Sequence, residues 1–379
     1  MIKTRTRESY PRKGRHMAHN VRAMSSTGGT ATRQTAAVAK GREPNGKATP
    51  KGEARKPKGR VAWIDIAKGI AIILVVTGHT VSSGSQLIPM IFMFHMPLFF
   101  IMSGYTFKPK PAGEVIRSSA QRLLVPYAII FVLWQGVKWL RQPDALSLGA
   151  LGDLALRFIF ASGSPNDDMG ITTTGMAWFL MCLFVSRVML NGLVGLFDHH
   201  GIGLVAQAVV FAVMAAAGIF IGDELHVFLP FDLDLALVTA GFMWCGYTAR
   251  KTSFMARWGT RWYVLVAAAI LYIAAFSFSY LELAMRLYGI APLCIAGALG
   301  GSLVTCWLSM LIERFSRLLT RFLTFMGRNS MYIYCFHCLD WWVPWKDLAA
   351  LQGVPFSHAI ASASRTLYAV LMTLLVKRI

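Results

Sequence analysis

The chain has 379 residues, 55% of them hydrophobic and only 15% charged, with a formal net charge of +20. Soluble globular domains carry about 25% charged residues. The apolar residues here also gather in long blocks, which excludes an ordinary soluble core and points to an all-α integral membrane protein.

The charge is unevenly spread. Residues 1–60 hold 16 Lys/Arg against 3 Glu, whereas the rest of the chain holds 22 basic and 15 acidic groups. This first segment is rich in Gly, Pro, Ser and Thr and lacks apolar periodicity, so it reads as a disordered basic cytoplasmic tail. It has no apolar core of the kind a secretory signal needs. Its expected partner is the anionic surface of a lipid bilayer, and nucleic acid is not expected.

Residues 61–379 read as one multi-span membrane domain. Ten stretches approach the length of about 20 apolar residues that a crossing needs: 64–83, 87–107, 123–142, 176–197, 203–221, 227–248, 262–281, 288–312, 322–343 and 360–376. Arg365 interrupts the last. The tail, the basic loops 108–122, 249–261 and 313–321, and the C-terminal Lys377 and Arg378 then share one side. The other side receives "GDELH" at 222–226 and a mixed loop, 143–175. By the positive-inside rule both termini are cytoplasmic. The six cysteines all lie in apolar blocks, which argues for packing rather than disulfides or a metal site.

Ionisable groups inside spans are costly and are functional candidates. The first span carries Asp65, Lys68 and His79. At about 100° per residue the three fall within ~60° of one another, on one stripe, with His79 about 16 Å beyond Lys68 along the axis. His95, on the returning second span, reaches a similar depth. The two imidazoles are expected to share a cavity towards the outer leaflet. Histidine suits a general base because its ordinary pKa is near neutrality. A structural histidine hydrogen-bonded between helices is the plainer reading of either one alone.

"WIDIAKGIAIILVVTGH" at 63–79 and "FHMPLFFIMSGYTF" at 94–107 are joined by "RLLVPY" at 122–127, "WFLMCLF" at 178–184, "FDLDLALVTAGFMWCGY" at 231–247 and "MGRNSMYIYCFH" at 326–337. Together these resemble the membrane acyltransferase-3 superfamily, and within it the fucose 4-O-acetylase-like branch of exopolysaccharide O-acetyltransferases. The resemblance covers about residues 60–345. It implies that His79 is the catalytic base; His95, by its depth, and Lys68 and Asp65, by their shared stripe, are the further catalytic candidates, with an i,i+3 pair to Asp65 the plainer role for Lys68. Lys68 stands where many superfamily members have arginine, and a lysine cannot make the bidentate contacts of a guanidinium. The resemblance also implies that Arg117 and Arg122 bind the phosphates of acyl-CoA, although their spacing is five rather than the usual three. Topology alone also accounts for basic residues there.

Asp232 and Asp234 sit near the outer end of the sixth stretch. On a continuous helix they would point about 200° apart, so only one could face a given cavity. The family pattern favours Asp234 as a contact for the sugar acceptor. Trp178 is a sugar platform or an interfacial aromatic, and Asn329 and His337, on the ninth stretch, are further acceptor contacts. The expected activity is transfer of an acyl group, acetyl above all, from cytosolic acetyl-CoA to a hydroxyl of an exopolysaccharide or other cell-envelope glycan, free or lipid-linked. The setting would be a bacterial inner membrane, and no metal is expected. The alternative is a translocator of a polysaccharide or lipid-linked sugar, whose path the histidines would line.

Overall fold

The computed structural model describes residues 61–81, 84–141, 148–340, 343–349 and 356–378, so the basic tail falls outside the described residues. Helix α1 (Ala62–Gly78) is followed by α2 (Leu87–Phe92) and α3 (His95–Thr106). α4 (Ala112–Ser119) runs through a π-helical turn, Ala120–Leu124, into α5 (Val125–Arg141). Then come α6 (Leu148–Phe160), α7 (Trp178–His200), α8 (Leu204–Ile219) and α9 (Leu233–Lys251). A single turn, α10 (Phe254–Arg257), precedes α11 (Trp262–Phe278) and α12 (Ala291–Phe315). The chain ends with α13 (Arg317–Arg328), α14 (Ser330–Leu339), α15 (Trp345–Ala349) and α16 (Ser357–Arg378). Among the described residues β structure is limited to two isolated bridges.

The fold is all-helical. Six helical segments among the described residues are long and apolar enough to cross a membrane: Leu87–Thr106, Ala112–Leu140, Gly175–His200, Leu204–Glu224, Ala291–Phe315 and Ser357–Arg378. The other four predicted stretches are helical but fall short of that standard. α1 and α11 have 17 residues each. α9 carries Asp234, Arg250 and Lys251. The ninth stretch is split at Asn329 into α13 and α14. Two expectations need correction. The segment 143–175, read as loop, contains α6. Arg365 does not interrupt the last helix, because its charge is matched inside the protein.

Packing centres on α1 and α3. α1 lies against α12 and α13, α3 against α9, and α9 against α7 and α8. Helix pairs in membranes gain mostly from close van der Waals contact, which small residues permit. At Gly104 of α3 an added Cβ would sit 1.8 Å from the Met243 carbonyl oxygen of α9, and at Gly246 of α9 it would sit 1.9 Å from the Ile101 carbonyl oxygen of α3. The two glycines therefore face each other's backbone, and no larger residue fits this crossing.

Candidate active site

Two cavities adjoin, sharing three lining residues. The larger, about 820 Å³, has a charged end bearing Asp65, Lys68, Lys108, Arg122, Arg187 and Arg250, and an apolar end bearing Ile72, Phe99, Phe179 and Leu183. Arg187 reaches across helices, donating from Nη1 to Ser103 Oγ at 2.9 Å and from Nε to Ser119 Oγ at 3.3 Å. Arg250 Nη1 donates to the Phe107 carbonyl at 3.3 Å. Asp65 Oδ2 accepts from Arg328 Nε at 3.2 Å. The smaller cavity, about 30 Å³, is lined by His79 and His95 together with Phe92, Trp178 and Glu282. Val75, Met96 and Tyr334 line both cavities and form the partition between them. The Tyr334 hydroxyl is held by the Met176 carbonyl.

The histidines are placed by helix ends. α1 stops at Gly78, and His79 caps it, its N–H bonded to the Val75 carbonyl at 3.2 Å. The break between α2 and α3 makes His95 the first residue of α3. His95 Nδ1 lies 2.8 Å from the Ile91 carbonyl oxygen. A carbonyl can only accept, so Nδ1 carries a proton, and in the neutral ring Nε2 is left with the lone pair. Phe92 stands between the imidazoles, 5.8 Å from the His79 ring and 5.0 Å from the His95 ring, centre to centre.

His337 is the nearest imidazole to His79, with ring centres 5.4 Å apart. Behind both lies an ion pair formed by residues the sequence did not single out for the site. Arg365 donates from Nη2 to Asp340 Oδ1 at 2.6 Å and from Nε to Oδ2 at 2.7 Å, a bidentate match. Its Nη1 donates to the His79 carbonyl at 2.8 Å. The carbonyls at a helix C-terminus lack partners within the helix, and Arg365 supplies one. Asp340 Oδ2 is also 3.7 Å from His337 Nδ1. A buried arginine in an apolar helix is itself the signal that could have marked this group.

The remaining predicted residues divide. Lys68 and Asp65 both line the large cavity, as does Arg122, whereas Arg117 is exposed on α4 and lines neither cavity. Trp178 is buried, with 5% exposure, and faces the histidine cavity rather than an interface with lipid. Asn329 is buried at the α13–α14 break, where its amide donates to the Phe325 carbonyl at 2.8 Å and its carbonyl accepts from Lys377. Those bonds place it in the structural break, outside both cavity linings.

The angular argument for Asp232 and Asp234 is overturned. Asp232 has φ 52° and ψ 35°, a left-handed conformation, and α9 starts only at Leu233. The two carboxylates are therefore not on one continuous helix, and both turn onto Arg286. Arg286 Nη2 lies 2.8 Å from Asp232 Oδ1, and its Nε lies 2.7 Å from Asp234 Oδ2. Asp234 is thus occupied by a buried arginine and lies outside both cavity linings.

Residues 61–376 match the acyltransferase domain family. The chain belongs to the acyltransferase-3 family. The match covers every helix that builds the two cavities. Among curated proteins, nodulation protein NolL of Mesorhizobium japonicum is 27% identical over 209 residues, covering 49% of this chain and 51% of that protein. The chain thus spans about half the length of that relative. No solved structure matches this acyltransferase-family chain.

Proposed function

We propose that the protein transfers an acyl group, acetyl in the simplest case, from cytosolic acyl-CoA to a hydroxyl of an exopolysaccharide or other cell-envelope carbohydrate. One observation carries the reading: a large cavity with a cationic end adjoins a small one that holds two histidines, across a partition of three side chains. Guanidinium groups at Arg122, Arg187 and Arg250 suit the phosphates of coenzyme A. The apolar end suits the pantetheine arm, with the thioester directed past Val75 and Met96.

His79 then takes the proton from the acceptor hydroxyl as its oxygen attacks the thioester carbonyl carbon. Collapse of the tetrahedral intermediate breaks the C–S bond. The departing thiolate takes the proton back from the imidazolium, so the base is regenerated. His95 is the second imidazole at the reacting centre, its Nε2 lone pair held available by the Ile91 bond. Lys68 and Asp65 belong to the donor side in this reading. The polypeptide crosses a bacterial inner membrane with both termini in the cytoplasm. Its ten predicted stretches act as crossings of a single domain over residues 61–379, and the histidine cavity lies towards the outer face.

The test is transfer from radiolabelled acetyl-CoA to methyl glycosides by protein reconstituted in lipid nanodiscs. His79→Ala is expected to lower turnover by at least about a hundredfold, the usual range for losing a general base. Wild-type turnover in a correctly folded His79→Ala protein would exclude the base. Glycan transport by the reconstituted protein without any acyl donor would favour a translocator instead.

A further inference from the structure

The histidine cavity has one wall that no motif in the sequence marked. Glu282, Leu283 and Ala284, from the connection between α11 and α12, line it together with His79 and His95. Among the described residues lining this cavity, Glu282 supplies the single carboxylate.

The connection is held rigidly. Glu282 and Leu287 pair through two backbone hydrogen bonds, from Glu282 N–H to the Leu287 carbonyl at 2.9 Å and from Leu287 N–H to the Glu282 carbonyl at 3.1 Å. Between them Arg286 adopts φ 57° and sends its side chain, only 1% exposed, into the bundle. There it meets Asp232 and Asp234, donates to Ser162 Oγ at 3.0 Å and lies 3.7 Å from the Phe228 ring centre. Burying two carboxylates and a guanidinium is costly unless they satisfy one another, and here they join three separate parts of the chain at one point. That point anchors the loop carrying Glu282.

The Glu282 carboxylate is half-buried. Its Oε2 accepts from the Tyr280 hydroxyl at 2.5 Å, and no other side-chain hydrogen bond to it is made among the described residues. Among the described residues Oε1 is thus an acceptor without a protein donor, in a cavity whose other polar side chains are His79, His95, Trp178 and Tyr334, the last already donating to the Met176 carbonyl. The cavity, about 30 Å³, has room for a hydroxyl or two and not for a whole ring, so the carboxylate suits vicinal hydroxyls that enter it from a ring seated at its opening, each donating one hydrogen bond.

We propose that the 279–290 connection is the acceptor-recognition element, with the Glu282 carboxylate binding ring hydroxyls adjacent to the one that is acylated. The acceptor class is a polyhydroxylated ring with at least one free hydroxyl next to the reacting position. The inference rests on the acyl-transfer reading above.

The test uses the full chain in nanodiscs with acetyl-CoA and a series of methyl glycosides that each lack one hydroxyl. Glu282→Gln and Glu282→Ala are expected to raise the acceptor KM about tenfold or more, the usual range for losing a charge-assisted hydrogen bond. The KM for acetyl-CoA and the slow thiol release without acceptor should stay unchanged. A single deoxy-glycoside should lose its penalty in Glu282→Ala, because the contact it lacks is already gone. Tyr280→Phe removes the hydroxyl that donates to the carboxylate and should leave the acceptor KM within about threefold of wild type. Active wild type with an unchanged acceptor KM in both Glu282 variants would overturn this inference alone. So would a Tyr280→Phe variant that reproduces Glu282→Gln, since Glu282 would then serve only to fix the loop. A wild-type protein that acylates none of the glycosides would overturn the enzymatic reading and this inference with it.

Discussion

His79 stands where a helix stops, and its backbone is held from behind by Arg365. That guanidinium also completes a bidentate pair with Asp340, whose other near neighbour is His337. Arg365→Ala should therefore do two separable things. It leaves Asp340 buried and unpaired, which costs about 3–5 kcal/mol of stability, and it frees the end of α1. Thermal unfolding in detergent should show the first effect, and the double variant Arg365→Ala/Asp340→Ala should recover much of the stability because no lone charge remains. Turnover should fall in both variants with little change in the acyl-CoA KM if His79 is the base proposed above, since displacing a base by about 1 Å costs on the order of a hundredfold in rate. Recovery of turnover together with stability in the double variant would show that the pair has no positioning role. The two histidines that line the small cavity were legible as candidates because ionisable groups within an apolar run are costly. Arg365 and Asp340 were harder to read, because a charge near a helix end looks like a boundary until its partner is known.

At the scale of elements, the helical content was legible from apolar run length, but the interruptions were not. A break at Met93 and Phe94 makes His95 the first residue of α3, and one at Asn329 separates α13 from α14. Neither carries a Gly–Pro signal at the break itself, so local propensity does not announce it. The same holds for Asp232, whose left-handed backbone replaced the predicted helical phase and sent two carboxylates to one arginine. The α3–α9 crossing is the element-scale feature with the clearest consequence. Gly104→Val puts side-chain carbon into the α9 backbone, which has no rotamer by which to move away. The expected loss is about 3 kcal/mol, the upper range for overpacking. It should appear as a lowered unfolding temperature in detergent, together with lost activity, because His95 lies on the displaced helix. A Gly104→Val protein as stable as wild type would mean that the two helices separate without cost.

At the scale of the whole molecule, the proposed donor site is an assembly of distant segments. Arg122 comes from the π-helical turn before α5, Arg187 from α7 and Arg250 from the end of α9, yet all three line one cavity. Arg122→Gln and Arg250→Gln together should raise the KM for acyl-CoA about tenfold or more, with a weaker dependence on ionic strength than wild type. Arg117→Gln, exposed on α4 and outside the cavity, should leave that KM near its wild-type value. Equal effects from Arg117 and from the Arg122/Arg250 pair would place the donor elsewhere on the basic surface. A single initial-rate series over acyl-CoA concentration at two salt strengths decides between these outcomes.

By itself the sequence determined the class of molecule, its helical stretches, the family resemblance and the two histidines. Those features rest on composition, run length and spacing, which are local properties of a chain. Only the tertiary structure decided which charges meet. The pairings Asp340–Arg365, Asp65–Arg328 and Asp232/Asp234–Arg286 span 25 to 263 residues of sequence. The physical reason is that a buried ion needs a partner but does not specify where along the chain that partner lies. Helix packing makes that choice, and with it the chain gains a large cavity with a cationic end, a partition and a histidine pocket that no segment encodes alone.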